Sequence, residues 1–271
     1  MAALCRKVGM CRQNYYKART NRERKDVDEG LVEQLVRAER TQQPRLGGRK
    51  LYRILKSELE SADVSLGRDR FFEVLKAKEL LLKPLPKAPH TTNSRHSLPL
   101  FGNIIKERAV TRPNQIWVSD ITHVRTAQGY IYLSLITDKY SRKIVGYWAG
   151  ETLEAQGCLK ALERALEGKP KNARIIHHSD RGCQYCSHVY VNKLREEGLE
   201  ISMTEEKHCA ENALAERVNG ILKQEYWLGS IFRSKEQAYR AIEEAVYLYN
   251  TRRPHTSLNY RTPEEVHTWA A

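Results

Sequence analysis

The spacing of apolar positions divides the chain into a helical first part and a strand-rich second part. Apolar residues recur at three- and four-residue intervals over residues 27–39, 50–59 and 69–78, the period of amphipathic helices. Gln43-Pro-Arg-Leu-Gly-Gly48 and Ser65-Leu-Gly67 punctuate them. Ahead of these, residues 4–17 read as two short helices joined at Gly9, a helix-turn-helix candidate. Lys83-Pro-Leu-Pro-Lys-Ala-Pro89 cannot continue a helix, because proline lacks the amide donor and clashes with the preceding turn. A linker is therefore expected over residues 83–113. Beyond it the pattern turns strand-like, rich in Ile, Val, Trp and Tyr, over residues 115–124, 130–137 and 142–151. A helix (153–166), a strand (173–177), a helix (187–196), a strand (200–203) and a helix (210–224) follow. A last amphipathic helix at 235–249 precedes a polar tail. Three strands, helix, strand, helix, strand, helix predicts an α/β fold with a mixed five-stranded sheet flanked by helices. The expected domains are a small all-α, helix-turn-helix-like domain (1–82), the linker, a catalytic core (114–250) and a basic tail (251–271).

Charge sharpens this division. Residues 1–112 carry 25 Lys and Arg against 13 Asp and Glu, a net +12 of the chain's +13. A basic first part beside a balanced second part suits a protein that grips a polyanion with one region, so nucleic acid is the first partner to expect. Arg12, Lys17 and Arg19 lie where a recognition helix would meet phosphates, and Arg253 sits in the basic tail. No stretch approaches the roughly 20 apolar residues of a membrane span. Six cysteines without an apolar leader read as reduced thiols in a cytoplasmic protein.

Three acids stand out within the second part. Asp120 interrupts the apolar run Ile116-Trp-Val-Ser-Asp-Ile-Thr122, where a carboxylate is costly to desolvate unless paired or metal-bound. Asp180 follows Arg174-Ile-Ile-His-His178 at the carboxyl end of a strand. Glu216 shares a helix face with Asn212, Asn219 and Lys223, spaced by four, three and four. Three carboxylates on strand, strand end and helix suit two divalent cations, which take hard oxygen ligands and leave room for phosphate and water. Cys183-Gln-Tyr-Cys186 with His188 and His208-Cys209 has zinc-like spacing on one side only, and reads as free thiols.

Between Asp180 and Glu216 lie 35 residues, so the chain resembles the DD(35)E transposases and retroviral integrases. Trp117-Val-Ser-Asp-Ile-Thr122, His178-Ser-Asp-Arg-Gly-Cys-Gln-Tyr185, Glu211-Asn-Ala-Leu-Ala-Glu-Arg217 and Tyr249-Asn-Thr-Arg-Arg-Pro-His-Thr-Ser-Leu258 resemble the second-frame proteins of IS3-type insertion sequences. Lys207-His208 and Cys183 depart from the family's usual Gly-Asn and small residue, but neither replaces a carboxylate. The resemblance implies an RNase-H-like integrase core and a magnesium-dependent strand-transfer enzyme, with manganese as substitute. Asp120 would contact both metals, Asp180 and Glu216 one each, and Lys223 element-end DNA. It also implies a homo-oligomer on terminal inverted repeats and target DNA, and a first-frame partner protein. Two rival readings are a nuclease on RNA–DNA hybrids and a non-catalytic DNA-binding regulator.

Overall fold

The computed structural model describes residues 11–83, 98–205 and 211–269, without the side chains of Tyr15 and Arg19. The chain forms two compact units, Met1–Pro84 and Leu85–Ala271.

Among its described residues the first unit holds three helices, α1 (Arg12–Gln42), α2 (Gly48–Ser61) and α3 (Arg68–Ala77). Leu51, Leu55 and Leu59 form one buried stripe on α2. They pack with Val32 and Val36 of α1, with Phe71, Val74 and Leu75 of α3, and with Leu46, Val64 and Leu80 from the connections. At the start of α2 a side chain on Gly48 would meet the Phe72 ring at 2.9 Å, so glycine lets the two helices close. Arg70 ties α3 to Glu29 of α1.

The first unit differs from expectation at its start. The short helix expected to end by residue 17 and the helix expected at 27–39 are one helix, α1, 31 residues long. Residues 18–26 carry charge rather than apolar periodicity, but they contain neither proline nor glycine. A solvated stretch of helix needs no apolar stripe, so its absence does not mark a break. The turn at Gly9 and the helix before it lie outside the described residues.

The second unit is built on a sheet of strands β1 (Ile116–Thr126), β2 (Gly129–Asp138), β3 (Ile144–Gly150), β4 (Ile176–Ser179), β5 (Glu200–Met203) and β6 (Ile231–Phe232). The order is β3-β2-β1-β4-β5, with β6 added to the far end of β1. The β1–β2 pair is antiparallel from Trp117↔Asp138 to Thr126↔Gly129, whereas β4 and β5 run parallel to β1 and to each other. The sheet is thus mixed, with a sixth, two-residue strand that was not expected.

The α-helices among the described residues of this unit are α4 (Ala155–Glu167), α5 (Cys183–Cys186), α6 (His188–Glu196), α7 (Ala213–Glu225), α8 (Lys235–Thr251) and α9 (Pro263–Trp269). One apolar cluster joins Trp117 and Ile136 of the sheet to Leu162 of α4, Tyr185 of α5 and Tyr190 of α6. The other joins Val124, Leu133 and Leu135 to Val218 and Leu222 of α7 and Ile242 and Tyr249 of α8. The alternation of side chains along β1 and β2 serves both layers. Helix α4 lies so close to β3 that a Cβ on Gly146 would sit 2.2 Å from the Ala161 carbonyl oxygen.

Two expected connections are part of this packing. Leu98 and Phe101 lie against the α4-side cluster and Ile105 is buried, so residues 98–105 of the expected linker belong to the core. The end of the expected core and the start of the expected basic tail together form an ordered bracket. Asn250 donates to the Ile144 carbonyl and accepts from its amide, both at 2.9 Å, and the Tyr249 hydroxyl donates to the Arg142 carbonyl. Arg253 is buried, its guanidinium on both carboxylate oxygens of Glu225 at 2.7 and 2.8 Å. Arg253 was expected to reach DNA; here its side chain is instead buried and paired with Glu225 on α7.

Candidate active site

Strand β1 is paired along one edge by β2 throughout, but its other edge is paired only in part. Strand β4 accompanies it to Val118 and β6 joins again at Arg125. Asp120 sits in the interval, just past the last β4 pairing. Its Oδ1 accepts from the Ile121 amide at 2.9 Å and its Oδ2 from Asn219 Nδ2 at 2.8 Å.

Asp180 comes directly after β4, and its Oδ1 accepts from the Gly182 amide at 3.0 Å. A Cβ on Gly182 would stand 3.0 Å from that oxygen, so the turn is tight around the carboxylate. Glu216 lies in the first turn of α7 and is half-buried. Helix α7 carries the polar stripe expected from its spacing. Asn212 donates to the Ser119 carbonyl at 2.9 Å and Asn219 to Asp120, so the stripe faces β1. Lys223, farther along α7, is half-buried; burial lowers its pKa, while the Asp120 charge pulls it back up.

The three acids act on one another electrostatically. The Asp120 carboxyl is pushed up to about 7, first by burial, then by the Asp180 charge, with Glu216 adding to both. The hydrogen bonds from Ile121 and Asn219 oppose the rise without cancelling it. Among the described residues no group of three His, Cys, Asp or Glu side chains lies close enough to hold a metal ion as it stands. The acids are therefore within electrostatic reach of one another without being drawn together around a common point. Their donor chemistry fits hard divalent cations, since like charges gathered at a half-buried position favour a cation between them.

Beneath the acids runs a buried polar chain that residue spacing does not disclose. His177 Nε2 lies 2.7 Å from Ser119 Oγ and 2.8 Å from the Tyr190 hydroxyl, joining β4 to the residue before Asp120. His178 Nδ1 lies 2.9 Å from Ser202 Oγ on β5. Burial, as the largest cause, lowers His177 to about 3 and His178 to about 4, so both are neutral at pH 7. They brace the strands that present Asp120 and Asp180. The only hint in the sequence is two adjacent histidines in an apolar strand.

The other expected residues divide as follows. Arg12 and Lys17 are exposed on α1, and the Arg19 side chain lies outside the described residues. Cys183 is exposed and Cys186 buried, both as free thiols, while His208 and Cys209 lie outside the described residues.

A mixed sheet flanked by helices, with acids on its central strand, at the neighbouring strand end and on a covering helix, defines the class of RNase-H-like integrase cores. Integrase core domain families match residues 110–209 and 197–263. The uncharacterized 31 kDa protein of insertion element IS600 from Shigella sonnei is 35% identical over 276 residues, covering 99% of this chain and 100% of the relative. The transposase for insertion sequence element IS629 of Shigella sonnei is 28% identical over 97% of this chain and 89% of its own length. Transposase InsF for insertion sequence IS3A of Escherichia coli is 32% identical over 70% of this chain and 67% of its own length. The chain belongs to the IS3-type family of insertion-sequence transposases with an integrase core. Among solved structures, the simian T-cell lymphotropic virus intasome in complex with PP2A regulatory subunit B56 gamma shares the fold. Its TM-score is 0.51 at 19% identity, covering 82% of this chain and 74% of that one.

Proposed function

We propose that this transposase cuts the ends of its element and joins the freed 3′ hydroxyl to a second DNA, with Asp120, Asp180 and Glu216 as the ligands of two divalent metal ions. The observation that carries the reading is the half-buried Asp120 carboxyl held at about 7 by burial and the two facing acids. A fold that needed these groups only for packing would gain by losing a charge there. Asp120 would serve both ions from the central strand, with Asp180 and Glu216 completing one site each. Magnesium, or manganese in its place, would supply Lewis acidity toward the attacking and leaving oxygens of the phosphodiester. The protein's own part is geometric: Ile121 and Asn219 fix the two oxygens of Asp120, and the Gly182 turn fixes Asp180.

Lys223 is assigned to a phosphate of the element end, because it lies beside Asp120. Arg12 and Lys17, with Arg19 on the same helix, are assigned to DNA contacts of the first unit. The expected setting is the prokaryotic cytoplasm, with a homo-oligomer assembled on DNA and a first-frame partner. No helix among the described residues is long and apolar enough to cross a membrane.

The test is magnesium-dependent cleavage and joining of an element-end duplex by Asp120→Asn, Asp180→Asn and Glu216→Gln. Each variant should bind the duplex as the parent does and cut at background level. Parent-level cutting by any one of them would overturn the triad.

A further inference from the structure

Asn219 is almost fully buried, 7% exposed, and lies three residues after Glu216 on α7. Its Nδ2 donates to Asp120 Oδ2 at 2.8 Å, but its Oδ1 is buried without a hydrogen-bond partner. Leaving such an acceptor unpaired costs free energy, so a buried orphan calls for an explanation. The amide cannot relieve it by turning over while Asp120 is ionised, because Oδ1 would then face Asp120 Oδ2, acceptor against acceptor. The carboxylate itself therefore decides which atom of the amide points away.

The amide that carries this acceptor is bonded to the central acid of the site. Among the described residues no strand pairs with the second edge of β1 from 119 to 124, and α7 lies along it through Asn212 on the Ser119 carbonyl and Asn219 on Asp120. Glu216 lies between these two anchors on the same face. With Ile121 holding Asp120 Oδ1, both oxygens of the central acid are oriented before any ligand arrives.

We propose that Asn219 is a positioning residue for Asp120, and that its free Oδ1 accepts a hydrogen bond from a proton-bearing oxygen of the loaded site, either water or the 3′ hydroxyl of a DNA end. The proposal rests on the metal-dependent reading above. Groups that orient a metal-binding side chain and bond what the metal holds change affinity or rate by roughly ten- to hundredfold when removed. A group serving only to pack the helix changes melting instead.

The experiment uses the full chain with Asn219→Leu, which keeps the number and branching of the side-chain heavy atoms, and Asn219→Ala, which cannot clash. Three quantities are read: melting without metal, Mn2+ affinity from the free-ion signal in electron paramagnetic resonance, and rates at saturating Mg2+. The rates are water-driven cleavage of an intact end and joining of a pre-cut end by its own hydroxyl. Both variants should melt near the parent without metal and lose roughly tenfold or more in Mn2+ affinity or in a rate. A larger loss in cleavage identifies water as the donor to Oδ1, and a larger loss in joining identifies the hydroxyl. Affinity and both rates within about twofold of the parent overturn the proposal. So does a loss seen in Asn219→Leu alone, or one that tracks a fall in melting. Asp120→Asn is run in parallel. If it still takes up Mn2+ and cuts, the metal reading has failed; if it is inert while the Asn219 variants are unimpaired, only the role of Asn219 has failed.

Discussion

Arg253 and Glu225 form a two-pronged ion pair across 28 residues, with Arg253 almost wholly shielded from water. It ties the end of α8 to the end of α7, the helix that carries Glu216. Removing one partner of a buried pair strands the other's charge, at a cost of about 3–5 kcal/mol. Arg253→Ala should therefore lower the melting temperature by roughly 10 °C, taking about 2–4 °C per kcal/mol for a unit of this size. Affinity for DNA, measured below the variant's melting point, should be unchanged. A variant that melts like the parent but binds DNA weakly would return Arg253 to the DNA surface.

The raised pKa of Asp120 makes a prediction about stability without metal. The unfolded group ionises near 3.8 and the folded one near 7, so the fold holds the proton more tightly. Its contribution to stability is full below 3.8 and is lost as pH rises through 7, at about 1.4 kcal/mol for each pH step between the two values. Asp120→Asn should accordingly be more stable than the metal-free parent at pH 8, with the advantage shrinking toward pH 4. Urea titrations at both pH values decide this, and a variant no more stable than the parent at pH 8 contradicts it.

His177 and His178 predict the opposite slope. Their folded values of about 3 and 4 lie below the unfolded 6.5, so the unfolded chain takes up protons that the fold refuses. Stability from these two groups is present above 6.5 and lost as pH falls toward 4, each contributing about 1.4 kcal/mol per pH step. Replacing either with glutamine should flatten the acid limb of the stability curve by about that amount. An unchanged limb would mean that the ring is already charged in the fold.

Gly146→Ala tests the approach of α4 to the sheet. With the Ala161 carbonyl oxygen only 2.2 Å from the new Cβ, the helix must shift, and overpacking of this kind costs about 1–3 kcal/mol. Thermal melting reads the result directly, and an unaltered midpoint would place α4 farther from β3.

Much of the second unit is legible in the sequence because its strands are long enough to show alternation and its helices their own period. Strands β1 and β2 fall within two residues of their expected bounds, and β5 spans 200–203 as expected. The two-residue β6 is illegible, since Ile231–Phe232 is too short to alternate and joins β1 through the backbone. Charge masks the continuity of α1, which is why its pattern looks interrupted. The bracket at Asn250 and Arg253 resembles a basic tail because charge is visible in a sequence and a distant partner such as Glu225 is not. At the site, the stripe on α7 is legible from its spacing. The missing strand beside Asp120 is not, because it depends on where β4 stops and β6 begins.

Helix α1 has a consequence of scale. At 1.5 Å per residue it is about 46 Å long, of which the solvent-facing stretch 12–27 makes up about 24 Å. That stretch corresponds to about seven base-pair steps of duplex DNA. A phosphate gripped at Arg12 would thus lie more than two nanometres from the apolar cluster at Val32 and Val36 that anchors the helix. Helix α1 is in effect a ruler that holds Arg12 and Lys17 at the end away from that cluster.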